Sequence, residues 1–323
     1  MDKYTDAVLI DGLVISKFSR AVFEDMKKGG ITAANCTCCV WHDFNETMSN
    51  IARWKHWFKE YDDIITQVYT SSDITRAQNE GKVGIILGWQ NTSGIDDDLN
   101  NLILFKDLGV KIMQLTYNSQ NLVGSGCWES NDSGLSDFGH DVVSEMNALR
   151  ILIDLSHVGP KTSDDAIRYS KKPVTYSHCC PMLKQHARNK TDDQLHTIAN
   201  AGGFVGFASY TPFLPKGTES TLADCVSAME YLINIVGEDN TGIGTDWVQD
   251  QDIDFFNYLS SDKGTGRPTS TPHKTVPSMP LGLESMGSFR NFIPSMESAG
   301  WSESRIRKVL GENWLKFLKE SWD

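Results

Sequence analysis

The sequence predicts an α/β protein folded as a (β/α)8, or TIM, barrel, and three observations predict it. Short apolar, β-branched runs recur eight times along the chain. The segments between them carry helical periodicity. The runs are near-continuously apolar rather than alternating, as parallel strands buried on both faces require. Eight such units favour closure into a barrel over an open doubly wound sheet, which is the alternative fold. The 323 residues accommodate one barrel of roughly 250 residues plus insertions, so a single domain spanning 1–323 is expected.

In chain order the expected strands are Ala7 to Asp11, Ala33 to Val40, Val83 to Gly88, Val110 to Thr116, Ile151 to Ser156, Val174 to Ser177, Phe204 to Ala208 and Thr241 to Gly244. Helix starts are marked between them. Thr191-Asp192-Asp193-Gln194 reads as a capping box, and Ser302 precedes the spaced apolar residues Ile306, Val309 and Leu310. The Gly, Pro, Ser and Thr between Gly264 and Lys274 predict a long loop after the last strand, a flexible segment over 264–275 that could serve as a lid.

Composition excludes several classes of function. The net charge of −12 and the lack of any Lys/Arg run disfavour binding to phosphate backbones or anionic lipid. No stretch approaches the ~20 apolar residues of a membrane span. Together with the acidic N-terminus this predicts a cytoplasmic protein with a small-molecule substrate and no nucleic-acid or membrane partner. Seven cysteines, with the adjacent pairs Cys38-Cys39 and Cys179-Cys180, match no secreted disulfide framework and are expected to be reduced.

Chemistry in a parallel barrel belongs at the C-terminal ends of the strands. The polar residues there are Gln90, Tyr117, His157, His178 and Asp246. A lone histidine at such a position is more often a hydrogen-bonded structural residue. Two at the ends of consecutive strands, with a carboxylate after the last, can hold a divalent metal and activate its water. Cys36, Cys38 and Cys39 are expected to be buried thiols, with Cys39 or Cys179 as the alternative extra ligands or reactive groups. His42, His56, His140, His186, His196 and His273 show no paired spacing and are assigned no chemistry. Trp89 and Trp128 flank the expected site loops and are candidates to wall a pocket, packing being the plainer role.

The runs Ile151-Leu152-Ile153-Asp154-Leu155-Ser156-His157-Val158 and Tyr176-Ser177-His178 resemble the metal-histidine strands of the renal (membrane) dipeptidases. The similarity continues through Gly134-Leu135-Ser136-Asp137-Phe138-Gly139, His186-Ala187-Arg188-Asn189, Gly242-Ile243-Gly244-Thr245-Asp246 and Gly311-Glu312-Asn313-Trp314, nearly the whole chain. The resemblance implies a (β/α)8 barrel, a homodimer, and hydrolysis of dipeptides with two bridged zinc ions. It also implies that this chain is a divergent, bacterial-type member. Where that family's first strand ends in Asp-Gly-His-Asn-Asp, with metal ligands at the histidine and the last aspartate, this chain has Asp11-Gly12-Leu13-Val14-Ile15. The bridging glutamate corresponds to Gln90 and the carbonyl-polarising histidine to Tyr117. Leucine and isoleucine offer no lone pair, and a neutral amide cannot bridge two cations.

What the resemblance leaves is a one-metal site. His157 and His178 would be ligands to one divalent metal, zinc in the family, with Gln90 or Asp246 beside them. Asp246 would accept the proton of the metal-activated water, Tyr117 would stabilise the oxyanion and contact substrate, and Arg188 would clamp a substrate carboxylate. The expected function is a metal-dependent hydrolase acting on a small dipeptide-like or amide substrate. The alternative is an altered or inactive member that binds a small carboxylated metabolite.

Overall fold

The computed structural model describes residues 3–270 and 274–323. Nine parallel strands follow one another as β1 (Ile10–Val14), β2 (Ala33–Cys39), β3 (Ile65–Gln67), β4 (Val83–Trp89), β5 (Val110–Gln114), β6 (Leu152–Asp154), β7 (Thr175–Cys179), β8 (Phe204–Phe207) and β9 (Thr241–Ile243). Each strand from β4 onward pairs with its successor, β9 returns to β1, and β2 joins β4 from Ala33↔Gly84 to Cys39↔Trp89. The result is a closed eight-stranded (β/α)8 barrel. The ninth strand, β3, pairs with the first residues of β4 (Ile65↔Val83 to Gln67↔Ile85), while β5 pairs with its last (Leu87↔Val110 to Trp89↔Met113). Three residues with a polar centre carry too little pattern to be read as a strand.

The first strand lies three residues further along than its apolar run suggests. The ladder starts at Ile10↔Ala33 and crosses Asp11 instead of ending there. Asp11 is tolerated inside the sheet because its carboxylate takes the Thr245 backbone N–H at 2.8 Å, the Leu13 N–H at 3.1 Å and the Thr245 hydroxyl. Burial nevertheless pushes its carboxyl up to about 7, the hydrogen bonds opposing the rise. The fifth run ends early, at Asp154, for a related reason: the Asp154 carboxylate captures the Ser156 N–H at 3.0 Å and turns the chain, whereas the sixth continues past Ser177 to Cys179.

The capping box at Thr191 and Gln194 and the N-cap at Ser302 form as their sequences predict. The C-terminal helix Asn313–Trp322 plugs the N-terminal mouth of the barrel with Trp314. Its indole N–H donates to the Ile243 carbonyl at 2.8 Å, and a Cβ at Gly12 or Gly242 would meet its ring at 2.6 Å. Those glycines therefore provide the space the plug occupies.

All seven cysteines are free thiols, and all but Cys127 are buried. Among the described residues no helix is long and apolar enough to cross a membrane. The expected loop over 264–275 is described only in part. Ser261 and Pro268 bridge antiparallel, and Thr269 N–H donates to Ser260 O at 2.7 Å, which makes a tight turn of its first half. Residues 271–273, including His273, lie outside the described residues.

Candidate active site

A cavity of about 290 Å³ opens at the C-terminal mouth of the barrel. Gln90, Tyr117, His157, Arg188 and Asp246 line it together, each brought there by a strand end or the loop after it. His178 lies directly beneath His157, fully buried. The expected residues are thus brought into one place, although no three His, Cys, Asp or Glu side chains among the described residues form a metal site by themselves.

The two histidines face each other, Nε2 to Nε2, at 3.0 Å. Their outer nitrogens are held by different devices. His157 Nδ1 lies 2.7 Å from Asn118 Oδ1, an acceptor, so Nδ1 carries the proton. His178 Nδ1 lies 2.7 Å from Ser177 Oγ, whose one proton goes to Asp154 Oδ2 at 2.6 Å, so the hydroxyl accepts from Nδ1–H. Asp154 is wholly buried and takes four bonds in all, from the N–H and hydroxyl of both Ser156 and Ser177. Both Nε2 atoms are therefore lone-pair bearers. Burial, then the positive charge of Arg188 beside them, holds both imidazoles well below the ordinary histidine range and hence neutral. Two lone pairs pointed at each other in a buried site repel, and a cation bound by both relieves the repulsion. Metal-bound histidines typically donate their other N–H to such partners. The donor set therefore fits one divalent cation.

The remaining groups surround this pair. The Tyr117 ring stacks on His157 at 4.1 Å between centroids, and burial keeps its phenol protonated. Gln90 donates its amide N–H to Thr37 Oγ1 at 3.0 Å, which fixes the amide and leaves Oε1 as its acceptor. Asp246 adopts a left-handed φ of 60° and is tied through its N–H to the Leu13 carbonyl at 3.1 Å. Its carboxyl takes no hydrogen bond from the described residues, and burial raises it to about 6 against the opposing pull of Arg188.

Arg188 departs from the picture of a free clamp. It is 2% exposed, and its terminal nitrogens donate to the Ser156 carbonyl and, at 2.9 Å, to the His178 carbonyl. It stitches the ends of β6 and β7 together beneath the cavity, leaving Nε–H without a partner. Cys39 and Cys179 do not reach this cavity. Burial pushes their thiols up to about 11 and about 12, as inert packed groups. Trp89 is a core residue packed edge-on against Phe105, whereas Trp128 does wall the cavity. His186, assigned no chemistry from its spacing, also lines it, edge-on to Trp128 at 5.6 Å. Asn118 was not anticipated either. In the loop after β5 its φ is 56°, a conformation asparagine tolerates better than most residues, and an asparagine next to Tyr117 was the available signal. Leu13 and Ile15 are buried, and only Ile15 borders the cavity.

The barrel and the residues at its mouth give the fold and the place of the site, and comparison with known proteins defines the class. The sequence profile of the membrane dipeptidase family (peptidase family M19) matches residues 15–257, and the chain belongs to that family of metallohydrolases. It is 28% identical over 256 residues to an uncharacterized dipeptidase of Schizosaccharomyces pombe. The match takes in 77% of this chain but only 55% of that relative's length. Its backbone is similar to the crystal structure of an amidohydrolase from Pseudomonas aeruginosa, at 48% identity and a TM-score of 0.96 over 99% of this chain and 98% of that one. A metallo peptidase from Rhodobacter sphaeroides, solved with a phosphinate mimic of the dipeptide L-Ala-D-Ala, shares the fold at 20% identity and a TM-score of 0.81, over 98% of this chain and 99% of that one.

Proposed function

We propose that this chain hydrolyses a small amide or dipeptide-like substrate using one divalent metal, zinc by family habit, held by Nε2 of His157 and His178. Gln90 Oε1 and the Asp246 carboxylate are the adjacent oxygen donors. The observation that carries this reading is the pair of facing lone pairs, each fixed by a separate hydrogen bond to its own Nδ1. When bound, the metal supplies Lewis acidity and lowers the pKa of water. The chain's own groups supply the rest. The Asp246 carboxylate accepts the proton of the attacking water, having no competing donor among the described residues. Tyr117, protonated and at the cavity wall, donates its O–H to the oxygen where negative charge develops. Arg188 adds positive charge at the cavity floor, and its free Nε–H is the remaining donor for a substrate carboxylate. Family membership favours this reading over a binding protein without catalysis.

Metal counting tests it. Elemental analysis after dialysis is expected to find no more than one zinc per chain, and substitution of His157 or His178 by alanine to abolish its retention. Two stoichiometric ions per chain would show that the positions of Leu13, Ile15 and Gln90 have been replaced by other ligands. The pH profile tests the role of Asp246. A carboxyl raised to about 6 is protonated and unable to accept a proton below that pH. Hydrolysis measured as kcat/KM should therefore climb as pH rises through about 6 and level off above it. A profile flat from pH 5 to 7 would remove Asp246 from the base role.

A further inference from the structure

A second cavity, of about 380 Å³, lies beside the first and shares only Ile15 with it. Its volume falls within the range of small-molecule sites. Its aromatic wall comes from Phe18, Trp54 and Trp57, with Phe18 and Trp57 each packed edge-on to Trp54 at 4.7 and 5.0 Å, and from Tyr258.

The charge on this cavity runs against that of the chain. The sequence holds 42 acidic against 30 basic residues, yet among the described residues no carboxylate lines the cavity, whereas Lys17 and Arg53 do. Other surface arginines are paired: Arg20 with Asp63 at 2.6 Å, Arg76 with Asp73 at 2.7 Å, Arg305 with Glu238 at 2.7 Å. Lys17 and Arg53 make no ion pair or side-chain hydrogen bond among the described residues. Asp43 and Glu46, which with Arg53 act on the cavity-lining His42, are engaged with each other's backbone N–H in the capping box of the helix Phe44–Glu60. Two uncommitted cations in one cavity with an aromatic wall match a ligand with a flat apolar body ending in an anion.

We infer that this cavity is a second small-molecule site, taking an aryl carboxylate or a close relative, independent of the hydrolytic reading. It borders the catalytic cavity closely. Thr37 lines it and accepts the hydrogen bond that holds Gln90, so an occupant would press on the support of a candidate metal neighbour.

Calorimetric titration of the full chain with indole-3-acetate and with its neutral amide tests the site. The acid should bind at least about tenfold more tightly than the amide, as expected for a charge-assisted hydrogen bond. Arg53→Gln, and separately Lys17→Gln, should each weaken binding of the acid and narrow that preference. Both side chains are exposed, so the fold should persist. Tyr117→Phe, in the other cavity, should leave both affinities unchanged. Equal binding of acid and amide, or a preference that survives both cation substitutions, would overturn the proposal. So would a preference lost in Tyr117→Phe, because the probe would then sit in the catalytic cavity.

Discussion

Asp154→Asn should lower zinc affinity by roughly 10–100-fold, the usual cost of losing a partner behind a metal ligand, while destabilising the fold by only about 1–3 kcal/mol. The expectation turns on one proton. Asp154 Oδ1 takes three bonds and Oδ2 only the Ser177 hydroxyl, so asparagine keeps its oxygen at the first position and places NH2 at the second. Ser177 Oγ must then accept from that NH2 and turn its own proton toward His178 Nδ1. His178 becomes the Nε2–H tautomer, with no lone pair to offer. Nitrogen-15 shifts of the His178 ring report that switch directly, which a merely looser core would not produce. Unchanged zinc affinity, with Nδ1 still protonated, would mean that Asp154 does not orient the ring.

A larger change is expected from Leu13→His, Ile15→Asp and Gln90→Glu made together: a second metal site, and a rise in any dipeptidase activity. A second cation needs the added imidazole and carboxylates for coordination and for charge compensation. Ile15 and Gln90 already border the cavity, whereas Leu13 is buried and does not line it. Polar groups at these buried places, next to Asp11 and Asp246, should cost several kcal/mol of stability without metal. Zinc should return part of that by binding the native state alone, so the melting temperature should rise with zinc more steeply than in the parent chain. Each single replacement should do little. If the folded triple variant binds no additional zinc, the correspondence of the first and third site strands with the family is wrong.

The sequence alone located the strand ends that carry Gln90, Tyr117, His157, His178 and Asp246, because continuous apolar runs with a polar residue at the tip are a pattern of short range. It could not supply what depends on distant pairing. Residues Ile65 to Gln67 form a strand only because the opening residues of β4 leave an edge unpaired by β5. Asp154 reads as one residue of an apolar run until β7 brings Ser177 to it. His186 has no paired spacing and enters the site only because the loop after β7 folds back over the cavity. Arg188 lines the cavity, and its two carbonyl partners are visible only once the ends of β6 and β7 lie side by side.

The glycines of the barrel interior carry a consequence for how this protein tolerates change. Gly12, Gly206 and Gly244, on three separate segments, all abut the carbonyl oxygen of Ser177, and a Cβ at any of them would overlap it. Ser177 is the residue that sets the proton on His178. A methyl group added at Gly206, which does not line the catalytic cavity, would therefore push on the backbone that aims the metal-facing nitrogen. In a saturation-mutagenesis map scored for function and separately for abundance, these positions should appear as activity-sensitive sites beyond what their effect on folding explains. They would trace the barrel wall that serves as the rigid mount of the histidine pair.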